Sequence, residues 1–126
     1  MTEKKTILVI EDEPDIVRWL TILFENNGYQ VVSAQNGLEG IEKAKSESPD
    51  LITLDISMPT ESGVKMYKNL HKDDNLSSIP VILVTGATPM LNTFLDKIKS
   101  LKKPAGFMEK PVKDSDLIAK VKEIIG

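Results

Sequence analysis

Five short runs of aliphatic and β-branched residues recur along the chain, and each is followed by a stretch with helical periodicity. The runs are Ile7 to Ile10, Gln30 to Ala34, Leu51 to Leu54, Val81 to Thr85 and Gly106 to Met108. Strands apolar on both faces must be covered on both faces, and the helical stretches between them supply the covers. The pattern predicts an α/β fold: a doubly wound, five-stranded parallel sheet with helices on both faces and right-handed crossovers set by strand twist.

The helical stretches carry their own punctuation. Pro14 opens the first, whose stripe is Ile16, Leu20, Leu23, Phe24 and Asn27, with Trp19 at its edge, Ile22 off it and Gly28 closing it. Leu38, Ile41, Ala44 and Lys45 mark a second helix ending before Pro49, and Val64, Tyr67, Lys68 and Leu70 a third beginning after Gly63. The fourth covers Met90 to Leu101, with Met90, Leu91, Phe94, Leu95, Ile98 and Leu101 on a wide stripe. The fifth, Lys113 to Ile125, shows Leu117, Ile118, Val121, Ile124 and Ile125 on one face. Asp114 and Asp116 lie near its start and lysines follow, as the helix dipole favours.

A chain of 126 residues suits one domain, taken here as residues 1–126. A net charge of -3 offers no broad basic field, so direct attraction to nucleic acid or anionic lipid is not expected. No cysteine is present, which removes disulfides, thiolate zinc sites and cysteine nucleophiles and fits a reducing, cytoplasmic setting. The start, Met1-Thr2-Glu3-Lys4-Lys5, runs into an apolar stretch too short for a signal peptide or a membrane span.

In open parallel sheets, sites form outside the carboxyl ends of the strands. Here those ends carry Glu11-Asp12-Glu13, Asp55, Thr85 and Glu109-Lys110-Pro111. Asp55 is expected to be fixed by its strand and delivered into a turn open to solvent, suited to act as nucleophile or metal ligand. Carboxylates from the first and third strand ends suit a hard divalent cation, which offsets repulsion between acids and an incoming phosphoryl group. Lys110 adds a cation and Thr85 a hydroxyl for phosphate oxygens. The set reads as a phosphoryl-transfer site. Dipole compensation for the first helix is a second role for Glu11 to Glu13.

In these residues the chain resembles the receiver domains of two-component response regulators. The matching pieces are Glu11-Asp12, Leu54-Asp55-Ile56-Ser57-Met58-Pro59 with Gly63 beyond, Thr85-Gly86-Ala87, and Phe107-Met108-Glu109-Lys110-Pro111. The resemblance implies a flavodoxin-like strand order, 2-1-3-4-5, and a cis Lys110–Pro111 peptide. It implies that a sensor histidine kinase or phosphotransfer protein donates phosphate to Asp55. Mg²⁺ would be bound by Asp12, Asp55 and the Ser57 carbonyl, with Glu11 acting through water. It further implies that Thr85 and Phe107 form the switch, Phe107 standing where the family commonly has tyrosine. The output would pass to a downstream protein through the helix 4, strand 5, helix 5 face, with a phosphorylation-dependent dimer as one form of output. With no room for a DNA-binding module, the chain reads as a stand-alone regulator and not an enzyme with a separate substrate.

Three rivals stand beside this, one of them a flavodoxin-like nucleotide module, which would want glycines and backbone amides where the first loop has Glu11-Asp12-Glu13. An aspartyl-nucleophile phosphohydrolase needs a second acid two residues beyond its nucleophile, where this chain has Ser57. A receiver-like scaffold that takes no phosphate would not need the constellation. His71 reads as solvated near the end of the third helix, and Trp19 as packed at the rim of the core, near enough to Asp12 to report metal binding.

Overall fold

β-rich runs and helical stretches take the predicted order in the computed structural model. It describes residues 4–56, 60–85 and 88–126, without the side chains of residues 60–62, 85 and 88–91. The elements are β1 (Thr6–Ile10), α1 (Pro14–Asn26), β2 (Gln30–Ala34), α2 (Gly37–Glu47), β3 (Leu51–Asp55), α3 (Thr60–Lys72), β4 (Val81–Thr85), α4 (Thr88–Lys97), β5 (Gly106–Glu109) and α5 (Asp114–Ile125). All strand pairs are parallel, in the order β2-β1-β3-β4-β5. From β1 the chain moves outward to β2, then crosses back to β3 on the other side. The order therefore reverses between β1 and β3, which makes their carboxyl ends the place for a site.

Strand alternation divides the core into two layers. Leu8 and Ile10 of β1, Ile52 and Leu54 of β3 and Val81 and Leu83 of β4 pack with Ala44 of α2, Val64, Met66, Tyr67 and Leu70 of α3, and Phe94 of α4. Ile7 and Val9 of β1, Leu51 and Ile82 face the other way, onto Leu20 and Phe24 of α1 and Leu117 and Val121 of α5. The α1 and α5 stripes thus match the sequence reading, and Ile22, left off the stripe, is exposed.

Other expectations need correction. Leu38 is 75% exposed, because α2 presents Gly37, Gly40 and Ala44 to the sheet, a stripe rotated by one residue. A Cβ at Gly40 would lie 2.8 Å from Ile10 Cδ1 and 3.0 Å from Met66 Cε, so the small residue permits this close approach. Lys45, assigned to the same stripe, is exposed, as is Lys68 of the third. α3 starts at Thr60, placing Gly63 inside it. α4 ends at Lys97 and gives way to turns, in which Leu101 N–H donates to the Ile98 carbonyl. Met90 and Leu91, placed on that helix's stripe, have side chains outside the described residues. Lys113 is the N-cap of α5 and not its first turn.

Candidate functional site

β1 and β3 deliver two acids side by side. Ile10 pairs in register with Leu54, so Glu11 and Asp55 come next at the same level of adjacent strands. Glu11 N–H donates to the Ala34 carbonyl at 3.0 Å, and Ile56 N–H to that of Val84 at 3.0 Å, which extends the ladder past both acids. Glu13 N–H donates to Glu11 Oε2 at 3.1 Å, and Pro14 begins α1 directly, so the acidic loop is short and held at both ends.

Asp55 is the last residue of β3 and only 4% exposed, and Glu11 is 2% exposed. This corrects the expectation of a solvent-open carboxylate in a turn: the central strand is flanked by β1 and β4, and Lys110 reaches over it. Asp12 remains exposed. Lys110 follows β5, beyond β4 from β3, and its long side chain spans that distance. Its Nζ donates to Asp55 Oδ2 at 3.3 Å and lies 3.8 Å from Glu11 Oε1. The Lys110–Pro111 peptide is cis, as the resemblance implied.

Burial and the neighbouring Asp55 carboxylate push the Glu11 pKa from 4.5 up to about 8. Two close acids taken out of water thus favour the neutral form of one of them. Oxygens of Glu11, Asp12 and Asp55 all lie within 4.8 Å of one another. An all-carboxylate set of this size, with one member open to solvent, fits a hard divalent ion such as Mg²⁺ that keeps several waters. A cation here would also favour ionised Glu11.

Thr85 ends β4 and pairs with Glu109, one register step beyond the Asp55–Val84 pair. Its side chain lies outside the described residues, and so do Ser57, Gly86 and Ala87. Phe107, on β5, is 56% exposed and lines an apolar recess of about 430 Å³ with Leu95, Ile98, Leu101 and Pro104. The structure therefore brings Glu11, Asp12, Asp55 and Lys110 together, and sets Phe107 on a different surface.

Two links escaped the sequence reading. Trp19 Nε1 donates to Asp114 Oδ1 at 2.9 Å, joining α1 to α5. A half-buried indole N–H needs an acceptor, but periodicity does not name it. His71 is not simply solvated: its ring lies against that of Tyr67, tilted by 31° with centroids 4.4 Å apart, and its Nδ1 lies 2.9 Å from the Tyr67 carbonyl. The Tyr67 hydroxyl, its pKa pushed up to about 12 by burial, donates to the Lys102 carbonyl at 2.6 Å.

Comparison with known proteins gives a consistent result. Residues 7–122 match the family model described as the response regulator receiver domain. The chain is 35% identical over 120 residues to Protein PilH of Pseudomonas aeruginosa, covering 94% of this chain and 96% of that one. It is 34% identical over 122 residues to the alkaline phosphatase synthesis transcriptional regulatory protein PhoP of Bacillus subtilis, covering 96% of this chain but 48% of PhoP. Among solved structures, the signal receiver domain of a signal transduction histidine kinase from Syntrophus aciditrophicus superposes with a TM-score of 0.84. It is 31% identical and covers 96% of this chain and 89% of that one.

Proposed function

Given that this chain belongs to the response regulator receiver domain family, we propose that it accepts a phosphoryl group on Asp55 from a histidine kinase or phosphotransfer protein. An Asp55 carboxylate oxygen attacks phosphorus, the bond from phosphorus to the donor's imidazole nitrogen breaks, and an acyl phosphate forms as the imidazole leaves. The observation that carries this reading is the buried pair Asp55 and Glu11 with the Lys110 ammonium 3.3 Å from Asp55. Strand β3 prevents Asp55 from swinging away. Lys110 can transfer its hydrogen bond from the free carboxylate to a phosphoryl oxygen, and Thr85 donates to another.

Glu11, Asp12, Asp55 and the Ser57 carbonyl are the proposed Mg²⁺ ligands, with Glu11 acting through water. The bound ion supplies charge neutralisation for the attack of one anion on another. Phosphorylation adds about -1.5 to -2 charges and strong acceptors. Thr85 responds by moving toward them, and Phe107, which starts from an exposed position, turns inward. The face formed by α4, β5 and α5 then changes for a downstream protein or a second copy of the chain. The match to the receiver family supports reading the chain as a receiver that acts through another protein. Among the described residues no helix is long and apolar enough to cross a membrane, and the cysteine-free composition supports the cytoplasmic assignment.

Incubation with acetyl phosphate and Mg²⁺, followed by intact mass and sizing, tests site, metal and oligomeric change together. A base-labile adduct that disappears in Asp55→Asn is expected. An adduct of equal yield in Asp55→Asn overturns the site, and sustained turnover of a phosphate ester would restore the phosphohydrolase reading.

A further inference from the structure

Lys110 reaches Asp55 from the segment that follows β5. Residues 110–113 connect β5 to α5, and the Lys113 N-cap makes no side-chain capping bond. The first turn of α5 is therefore not anchored by its own cap, where such a bond ordinarily contributes. An anchor comes from α1 instead. Trp19 Nε1 donates to Asp114 Oδ1 at 2.9 Å, and Asp114 is the first residue of α5. Trp19 and Val112 both pack against the core layer shared by α1 and α5. The helix bearing Trp19 starts directly after Glu11, Asp12 and Glu13, so one hydrogen bond links the element behind the acids to the element behind the lysine.

We propose that Trp19 is a positioning residue for phosphoryl transfer, holding the segment 110–113 through Asp114 so that the Lys110 Nζ stays within reach of Asp55. The proposal rests on Asp55 being the phosphoacceptor. Trp19 touches neither donor nor metal and acts only through Asp114. Small misplacements of a charged group at a transfer site cost rate steeply, so a loosened segment slows the reaction without removing a reactive group.

The test uses the full chain with acetyl phosphate and Mg²⁺. The phosphoryl group passes to an Asp55 oxygen and acetate leaves. Trp19→Phe keeps a smaller aromatic ring and removes the donor; Asp114→Ala removes the acceptor; Asp114→Asn keeps an acceptor oxygen and removes the charge. Trp19→Phe and Asp114→Ala are expected to slow labelling about fivefold to tenfold, with Mg²⁺ affinity by calorimetry within about twofold of wild type. Amide exchange across residues 110–113 should rise in both. Asp114→Asn should restore rate and protection, which separates the hydrogen bond from the dipole effect of an acid at a helix start. If Trp19→Phe does not fold, the Asp114→Ala and Asp114→Asn pair decides. A labelled wild type with all variants at its rate, differing only in melting temperature, overturns the positioning role alone. A wild type that takes no label overturns the phosphoacceptor reading and the positioning role with it.

Discussion

β3 and β5 carry the two halves of the site and are built in opposite ways. All five residues of β3 are buried, whereas β5 alternates half-buried and exposed positions. The cause is topological: β3 has strand neighbours on both sides, and β5, at the sheet edge, has β4 alone. Thus the carboxylate sits on a strand held from both sides, while the exposed phenylalanine lies on an edge strand and the lysine in the segment that follows it. On the proposed reading, Asp55 as nucleophile benefits from rigidity, and a face that changes on phosphorylation benefits from the opposite.

The most severe break of this contrast is Asp55→Asn, which should abolish base-labile labelling by acetyl phosphate while circular dichroism stays unchanged. Next, Leu54→Ala in β3 should cost about 2–5 kcal/mol in urea unfolding, since Leu54 is fully buried. Phe107→Ala in β5 should cost less than about 1 kcal/mol, as expected for an exposed side chain. Equal losses at the two positions would remove the contrast.

Lys110→Met should slow labelling by about tenfold to a hundredfold, because the cation that faces the transferred group is gone. Wild-type rates in that variant would reassign the lysine to a structural role.

A smaller effect concerns pH. The folded-state pKa of Glu11, about 8, lies above its ordinary 4.5, so the folded chain holds a proton that the unfolded chain releases between those values. Its contribution to stability is full below the unfolded pKa and is lost as pH rises toward 8. Without divalent ions, the wild-type melting temperature should therefore fall more from pH 5 to pH 8 than that of Glu11→Gln. Mg²⁺ should bind more tightly as pH rises through this range, since the ion and the proton compete. Parallel melting curves for the two chains would contradict the raised pKa.

Much of this was legible in sequence because its signals are local. Runs such as Leu51 to Leu54 are apolar whichever way they face, and acids beyond strand ends are visible without knowing the strand order. Leu38 was misplaced because apolar spacing favours the stripe of the larger side chains Leu38 and Ile41, whereas the close approach at Gly40 turns the small residues Gly37, Gly40 and Ala44 to the sheet. The length of α4 was overestimated because Ile98 and Leu101 continue the apolar spacing into turns. Burial of Asp55 was missed since it depends on which strands lie beside β3, and the Trp19–Asp114 bond because its partners are far apart in the chain.

The sequence by itself determined the α/β class, the number and order of elements, and the residues from which a phosphoryl-transfer site could be assembled. Periodicity and residue chemistry need only near neighbours. Tertiary structure alone decided that Asp55 and Glu11 share a buried position, that their closeness raises the Glu11 pKa, and that Lys110 reaches them from the sheet edge. It also decided that α1 holds the start of α5. Each of these depends on distance in space and on exclusion of water, and neither is encoded at any one position of the chain.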